Sequence, residues 1–146
     1  MPVLRPAREE DLDALAAIEK LWPTAPGWSR AQFAEELGRA GSVLLVADDG
    51  GAVGYACMWL VAGEAQVLNI AVAPAAARRG VGRALLAALL ERARGAARAT
   101  LEVSEPNLAA RRLYEGAGFR VVGRRAKYYN DGSDAILMDK DLSCPT

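Results

Sequence analysis

Apolar residues along the chain alternate between two periods, and the switches mark its elements. Val3 and Leu4 predict a short first strand. "AREEDLDALAAIEKLW" then carries Leu12, Leu15, Ala16, Ile18 and Leu21 at helical spacing. Its acidic residues fall in the first turn, where the helix dipole favours them. Pro23 and Pro26 break that helix, and Ser29 is a candidate N-cap for a second one with Phe33 and Leu37 on one face. Gly38 and Gly41 end it. "SVLLVA" and "VGYACMWLVA" are dense apolar runs joined by "DDGG", a hairpin signal. "AQVLNIAVAP" predicts another strand, stopped by Pro74. In the Ala/Leu-rich helix that follows, Leu85, Leu86, Leu89, Leu90 and Ala93 make one apolar stripe that must face a sheet. The strand "RATLEV" comes next, then a helix from about Asn107 to Glu115 that ends at Gly116 or Gly118. "FRVVGRRAKYY" and "DAILMDKDL" close the chain as two strands around "NDGS".

The order is β-α-α-β-β-β-α-β-α-β-β. Hairpins at both ends and helical crossovers between them predict an α/β (α+β) fold, a mixed sheet with helices on its faces. The 146 residues fit one domain, 1–146, with a single core.

Composition narrows the chemistry. Eighteen basic residues balance eighteen acidic ones, so general nucleic-acid affinity, which rests on many phosphate contacts, is not expected. There is no histidine. That excludes Ser-His-Asp and Cys-His nucleophile systems and histidine-ligated zinc, and no metal is expected. Acid/base work at neutral pH must then use carboxylates, tyrosine, lysine, cysteine or water. Cys57 lies in an apolar run and Cys144 in the polar tail, which predicts two unpaired thiols in a reducing compartment. The first residues lack the apolar core of a signal peptide, and no apolar stretch reaches the length of a membrane span. A cytoplasmic protein without membrane contact is the expectation.

"APAAARRGVGRALLAALLE" sets arginines and glycines directly before a strong helix. The first turn of a helix offers unpaired N–H groups and partial positive charge. Gly80 and Gly82 leave the backbone bare, and Arg78, Arg79 and Arg83 add charge, which together make a pyrophosphate cradle. It is not a Walker loop, since no Lys-Ser or Lys-Thr follows, nor a dinucleotide fingerprint, since Leu85 holds the third glycine position.

These residues resemble a known family. "RRGVGRALL" is similar to the acetyl-coenzyme A motif Q/R-x-x-G-x-G/A of the GCN5-related N-acetyltransferases (GNAT). "EPNLAARRLYEGAGF" resembles the family's N-x-x-A-x-x-L-Y-x-x-x-G-F, with Asn107, Ala110, Leu113, Tyr114, Gly118 and Phe119 in place. The resemblance spans nearly the whole chain, and the element order fits the GNAT fold: a mostly antiparallel central sheet of about six to seven strands with helices on both faces. It implies that the turn Arg78, Arg79, Gly80, Val81, Gly82 and Arg83 holds the pyrophosphate of acetyl-CoA. It further implies that the backbone of Ile70, Ala71 and Val72 in "NIAVAP", splayed by a bulge, pairs with the pantetheine arm, that Asn107 hydrogen-bonds the coenzyme, and that a backbone N–H on the bulged strand, Val72 first, stabilises the oxyanion. Glu102 would be the general base, through water, and Tyr114 the general acid.

"NIAV", "TLEV" followed by Asn107, "PGWSRAQF" and "RRAKYYNDGSDAILM" resemble one subfamily, the bacterial ribosomal-protein alanine N-acetyltransferases (RimI-type). That implies a protein or peptide N-terminus as partner, a ribosomal protein among the candidates. Two departures bear on the peptide: Gly27 is inserted between Pro26 and Trp28, and "LEVSEPN" has Ser104 and Pro106 in place of the arginine and serine usual after "LEV". Tyr128 and Tyr129 are candidates to shape the peptide groove, whereas Trp22, Trp28 and Trp59 read as core. The alternatives are an acetyltransferase for a small amine, such as a polyamine or an antibiotic, and a non-catalytic acetyl-CoA-binding module. The oligomeric state, monomer or weak dimer, stays open.

Overall fold

A computed structural model describes residues 2–22, 26–93 and 95–142. The expectations for Pro23 and Cys144 lie outside the described residues. Seven strands form one sheet in the order β1-β2-β3-β4-β5-β7-β6. They are β1 (Val3–Pro6), β2 (Ser42–Asp48), β3 (Ala52–Val61), β4 (Glu64–Val72), β5 (Arg98–Ser104), β6 (Arg120–Arg125) and β7 (Ala135–Asp141). Four α-helices accompany them: α1 (Leu12–Lys20), α2 (Arg30–Gly38), α3 (Val81–Arg92) and α4 (Leu108–Gly116). The order matches the one expected from the sequence.

Every strand pairing is antiparallel except β4 with β5. That exception follows from the connection. The chain leaves β4, crosses the sheet as α3 and returns beside it, which demands parallel strands. The two faces carry separate apolar clusters. α3 and α4 cover one face, where Val81, Leu85, Leu86, Leu89 and Tyr114 meet Met58, Val67, Leu101 and Ile136. α1 and α2 cover the other, where Leu12, Leu15, Ile18 and Phe33 meet Leu44, Val46, Tyr55 and Cys57.

Local chemistry explains the boundaries. Ser29 caps α2 and forms a reciprocal capping box with Gln32. Asp48 Oδ1 accepts from the Gly51 N–H at 2.9 Å and closes the first hairpin. Pro74 ends β4, as expected, and opens a short 3₁₀ turn, Pro74–Ala76.

Three expectations need correction. Leu21 is 55% exposed and Leu37 38% exposed, so neither belongs to its helix's buried stripe. Glu19 and Glu36 are buried there instead. The strand expected over "FRVVGRRAKYY" stops at Arg125. Lys127 has φ +51, and its N–H is bound by Asp134 Oδ1 at 2.9 Å, which turns the chain out of the sheet before Tyr128 and Tyr129.

Candidate active site

β4 carries a bulge. Cys57 faces Asn69 across the β3–β4 ladder, yet Met58 faces Val67, so Leu68 is the extra residue. The bulge bends β4 away from β5. Their parallel pairing covers only Glu64–Val67 against Arg98–Leu101. Beyond it the strands diverge, and a cavity of about 600 Å³ opens between Leu68, Asn69, Ile70, Ala71 and Val72 on one side and Glu102, Val103 and Ser104 on the other.

Backbone direction within this gap follows from strand alternation. The Ala73 N–H donates to the Val53 carbonyl on β3 at 2.7 Å. Counting back along the β3 register, Ala71 also directs its backbone groups at β3, while Ile70 and Val72 direct theirs into the gap. The Val72 carbonyl is engaged there by the Trp22 indole N–H at 2.9 Å. Of the three strand residues expected to meet a ligand through the backbone, Ile70 therefore turns both its groups and Val72 its N–H to the gap, and Ala71 contributes cavity lining.

The arginine-glycine turn closes one end of the cavity. Gly80 is the N-cap of α3 with φ +81, a left-handed conformation that glycine adopts at little cost. No side chain caps the helix, so its first N–H groups are open to a ligand. A Cβ on Gly82 would reach into the space between Val72 and Leu113, 3.7 and 3.6 Å from their methyls, both of which line the cavity. Arg78, Gly80, Val81, Gly82 and Arg83 line it as well, whereas Arg79 stands outside the lining. Among the described residues no carboxylate pairs with Arg78, Arg79 or Arg83, while Arg5, Arg98 and Arg124 are all ion-paired. An unspent positive charge beside bare helix N–H groups fits a diphosphate.

The candidate acid/base groups face the same space. Leu101 and Val103 are buried and Glu102 projects to the other side of β5. Its Oε1 lies 3.6 Å from Arg125 Nη2. Tyr114 on α4 is 6% exposed and packs edge-on against Phe119 at 5.9 Å. Burial, helped by Tyr129, raises its pKa above the ordinary tyrosine value, which keeps the hydroxyl protonated. Asn107 caps α4 by accepting the Ala110 N–H at 3.2 Å, so its amide donors remain for the cavity it lines. No group of three or more potential metal ligands occurs among the described residues.

Sequence reasoning missed several lining residues. Trp22, read as core, is a cavity residue with a backbone bond to β4. Asn130, Asp131 and Ser133 reach the cavity from the turn-rich link between β6 and β7, beside Tyr129, which the sequence marked as a groove candidate and which also lines it, while Tyr128 does not. Burial and the Glu102 charge push the Tyr129 pKa up to about 12. Ser104 carries a buried hydroxyl without a hydrogen-bond partner, the one such side-chain atom found among the described residues.

Residues 7–119 match the acetyltransferase (GNAT) family. The chain belongs to that family. It is 34% identical over 140 residues to a putative [ribosomal protein bS18]-alanine N-acetyltransferase of Bacillus subtilis, with 92% of each chain covered. It is 38% identical over 138 residues to the [ribosomal protein bS18]-alanine N-acetyltransferase of Escherichia coli, covering 91% of this chain and 93% of the other. The crystal structure of the ribosomal-protein-S18-alanine N-acetyltransferase from Escherichia coli superposes with a TM-score of 0.87 at 35% identity, covering 100% of this chain and 97% of that one. The expected GNAT fold, with its mostly antiparallel sheet, is thereby established.

Proposed function

We propose that this chain transfers the acetyl group of acetyl-CoA to the N-terminal α-amine of a protein, one that begins with alanine. Similar proteins named for that reaction on ribosomal protein bS18 support the substrate class. The observation that carries the reading is the single gap that joins an anion site to a carboxylate and a buried tyrosine. A ribosomal substrate would place the reaction in the cytoplasm. Among the described residues no helix is long and apolar enough to cross a membrane.

Acetyl-CoA supplies a thioester already activated for attack by an amine. The uncapped start of α3, with Arg78 and Arg83, holds its diphosphate. Backbone groups of Ile70 and Val72 and the Asn107 amide align the arm that follows. The Val72 N–H is the donor for the carbonyl oxygen as charge gathers on it. Glu102 takes the proton from the incoming amine through water, and Tyr114 gives one to the departing sulfur.

Magnitudes favour an α-amine. With a pKa of about 7.7–8.0, such an amine costs only about 1.4 kcal/mol to deprotonate at pH 7. A lysine at about 10.4 would cost roughly 4.6 kcal/mol. A carboxylate acting through water suits the first cost far better than the second.

The test is thiol release from acetyl-CoA with a panel of short peptides and small amines. Release with peptides that begin with alanine or serine, and none once they are N-acetylated, is the expected result. Release with polyamines or aminoglycosides alone would replace the substrate class. Tight coenzyme binding without any release would make the chain a binding module.

A further inference from the structure

Glu19 is 1% exposed, yet it sits on the inner side of α1, one turn after buried Leu15. A carboxylate so enclosed must be satisfied by donors, and it is. Its Oε2 accepts the backbone N–H groups of Gly27 at 2.7 Å and Trp28 at 2.9 Å. Its Oε1 accepts the Asn69 amide at 3.0 Å and the Tyr55 hydroxyl. The Asn69 amide also reaches the Tyr55 oxygen at 3.1 Å. One side chain therefore ties the segment 26–28 to β4 beside its bulge.

Both ends of this tie border the cavity. Pro26 and Trp22 line it from the helix side, and Asn69 and Ile70 from the strand. Trp22 and Asn69 belong to the face of the sheet covered by α1 and α2, opposite α3 with its open N-terminus, whereas the Ile70 side chain packs on the α3 side. A coenzyme anchored at α3 leaves this other face for the amine. Gly27, the residue inserted relative to the RimI-type pattern, has φ +82, a conformation suited to glycine, and supplies one of the two captured N–H groups. The Trp28 ring rests edge-on against Phe33 at 5.3 Å, and Phe33 against Tyr55 at 5.0 Å, so the same segment is fixed on its apolar side.

We propose that Glu19 is a positioning residue for the amine substrate: its carboxylate sets the wall 26–28 at a fixed distance from β4 and so governs how tightly a peptide N-terminus is held, without touching the reacting atoms. The proposal rests on the acetyltransferase reading above. It assigns Glu19 to binding of the acceptor and not to binding of the coenzyme or to chemistry.

Steady-state kinetics with acetyl-CoA and a synthetic hexapeptide beginning with alanine test it in the wild type, Glu19→Leu and Glu19→Gln. Glu19→Leu removes both acceptors while keeping apolar volume. Its peptide KM should rise at least tenfold, with kcat at saturating peptide and the acetyl-CoA KM within threefold of wild type. Glu19→Gln keeps one oxygen, which can still accept from Gly27 and Trp28, while its amide donates to Asn69 once that side chain turns its oxygen inward. It should restore the peptide KM to within threefold. An unchanged peptide KM in Glu19→Leu, or a loss shared equally by kcat and the acetyl-CoA KM, overturns the assignment. Should Glu19→Leu fail to fold, amide hydrogen exchange of the wild type decides. Gly27 and Trp28 must exchange at least a hundredfold slower than unprotected amides, and unprotected rates there overturn it. If the wild type acetylates a small amine and no peptide, the substrate reading fails on its own, and the same split in KM is then read with that amine.

Discussion

The Glu102 carboxylate stands 3.6 Å from the Arg125 guanidinium, so the candidate base is paired with a cation from the neighbouring end of β6. The pair is partly solvated and loose. Glu102 is thus not locked away from a bridging water. Glu102→Gln should lower kcat by about 100-fold at pH 7, the low end for a lost general base. The deficit should shrink above about pH 8, where an α-amine is already largely neutral. Turnover within twofold of wild type across that range would remove Glu102 from the mechanism.

Tyr114 is buried against Phe119, and burial raises its pKa. Its hydroxyl therefore remains a proton donor throughout an ordinary assay range. Tyr114→Phe should reduce kcat by about 10- to 100-fold while leaving the acetyl-CoA Kd within about twofold. The wild-type rate should show no alkaline decline attributable to this group below about pH 10. A pH–rate profile of both proteins checks the two statements together.

The raised tyrosines also make a stability prediction. Burial is the leading cause for Tyr55, Tyr114 and Tyr129 alike. A tyrosine whose pKa rises on folding holds its proton more tightly when folded. Its contribution is complete below the unfolded value of about 10 and is lost as pH climbs toward the folded value. Tm should be flat from pH 7 to 9.5 and fall steeply above it, and Tyr129→Phe should soften that fall. A Tm that holds steady to pH 11.5 would contradict the burial of these hydroxyls.

Two arginines of the turn should behave differently. Arg83 lines the cavity and Arg79 does not. Arg83→Glu should weaken acetyl-CoA by about 1–3 kcal/mol, because it reverses a charge-assisted contact. Arg79→Glu, acting only through screened charge, should cost under about 1 kcal/mol. Calorimetric titration of both variants measures the difference, and equal losses would mean that the turn presents its arginines in another way.

Much of this arrangement was legible in the sequence because it depends on neighbours along the chain. Ser29 and Asn107 announce their caps locally, and the stripe through Leu85 and Leu89 is a matter of period. The glycine-led turn and Glu102 between two buried apolar residues are equally local signals. What escaped depends on partners far apart in sequence. Glu19 meets Asn69 across fifty residues, and Trp22 meets Val72 across fifty. One cue did exist: Glu19 lies four residues after Leu15, where the period calls for an apolar side chain, and a charge on a buried stripe asks for donors. A bulge in this strand is implied by the family resemblance, but its place at Leu68 left no such mark, since nothing in "QVLNIAV" sets that residue apart from its apolar neighbours.

The short parallel join between β4 and β5 makes the sheet two slabs, one of four strands and one of three, fastened at a single edge. Whatever enters the gap between them becomes mortar, taking up the backbone groups that the missing rungs leave over. Acetyl-CoA should therefore stiffen the molecule along that line as it binds, so that the resting enzyme breathes across its own middle and the loaded one does not.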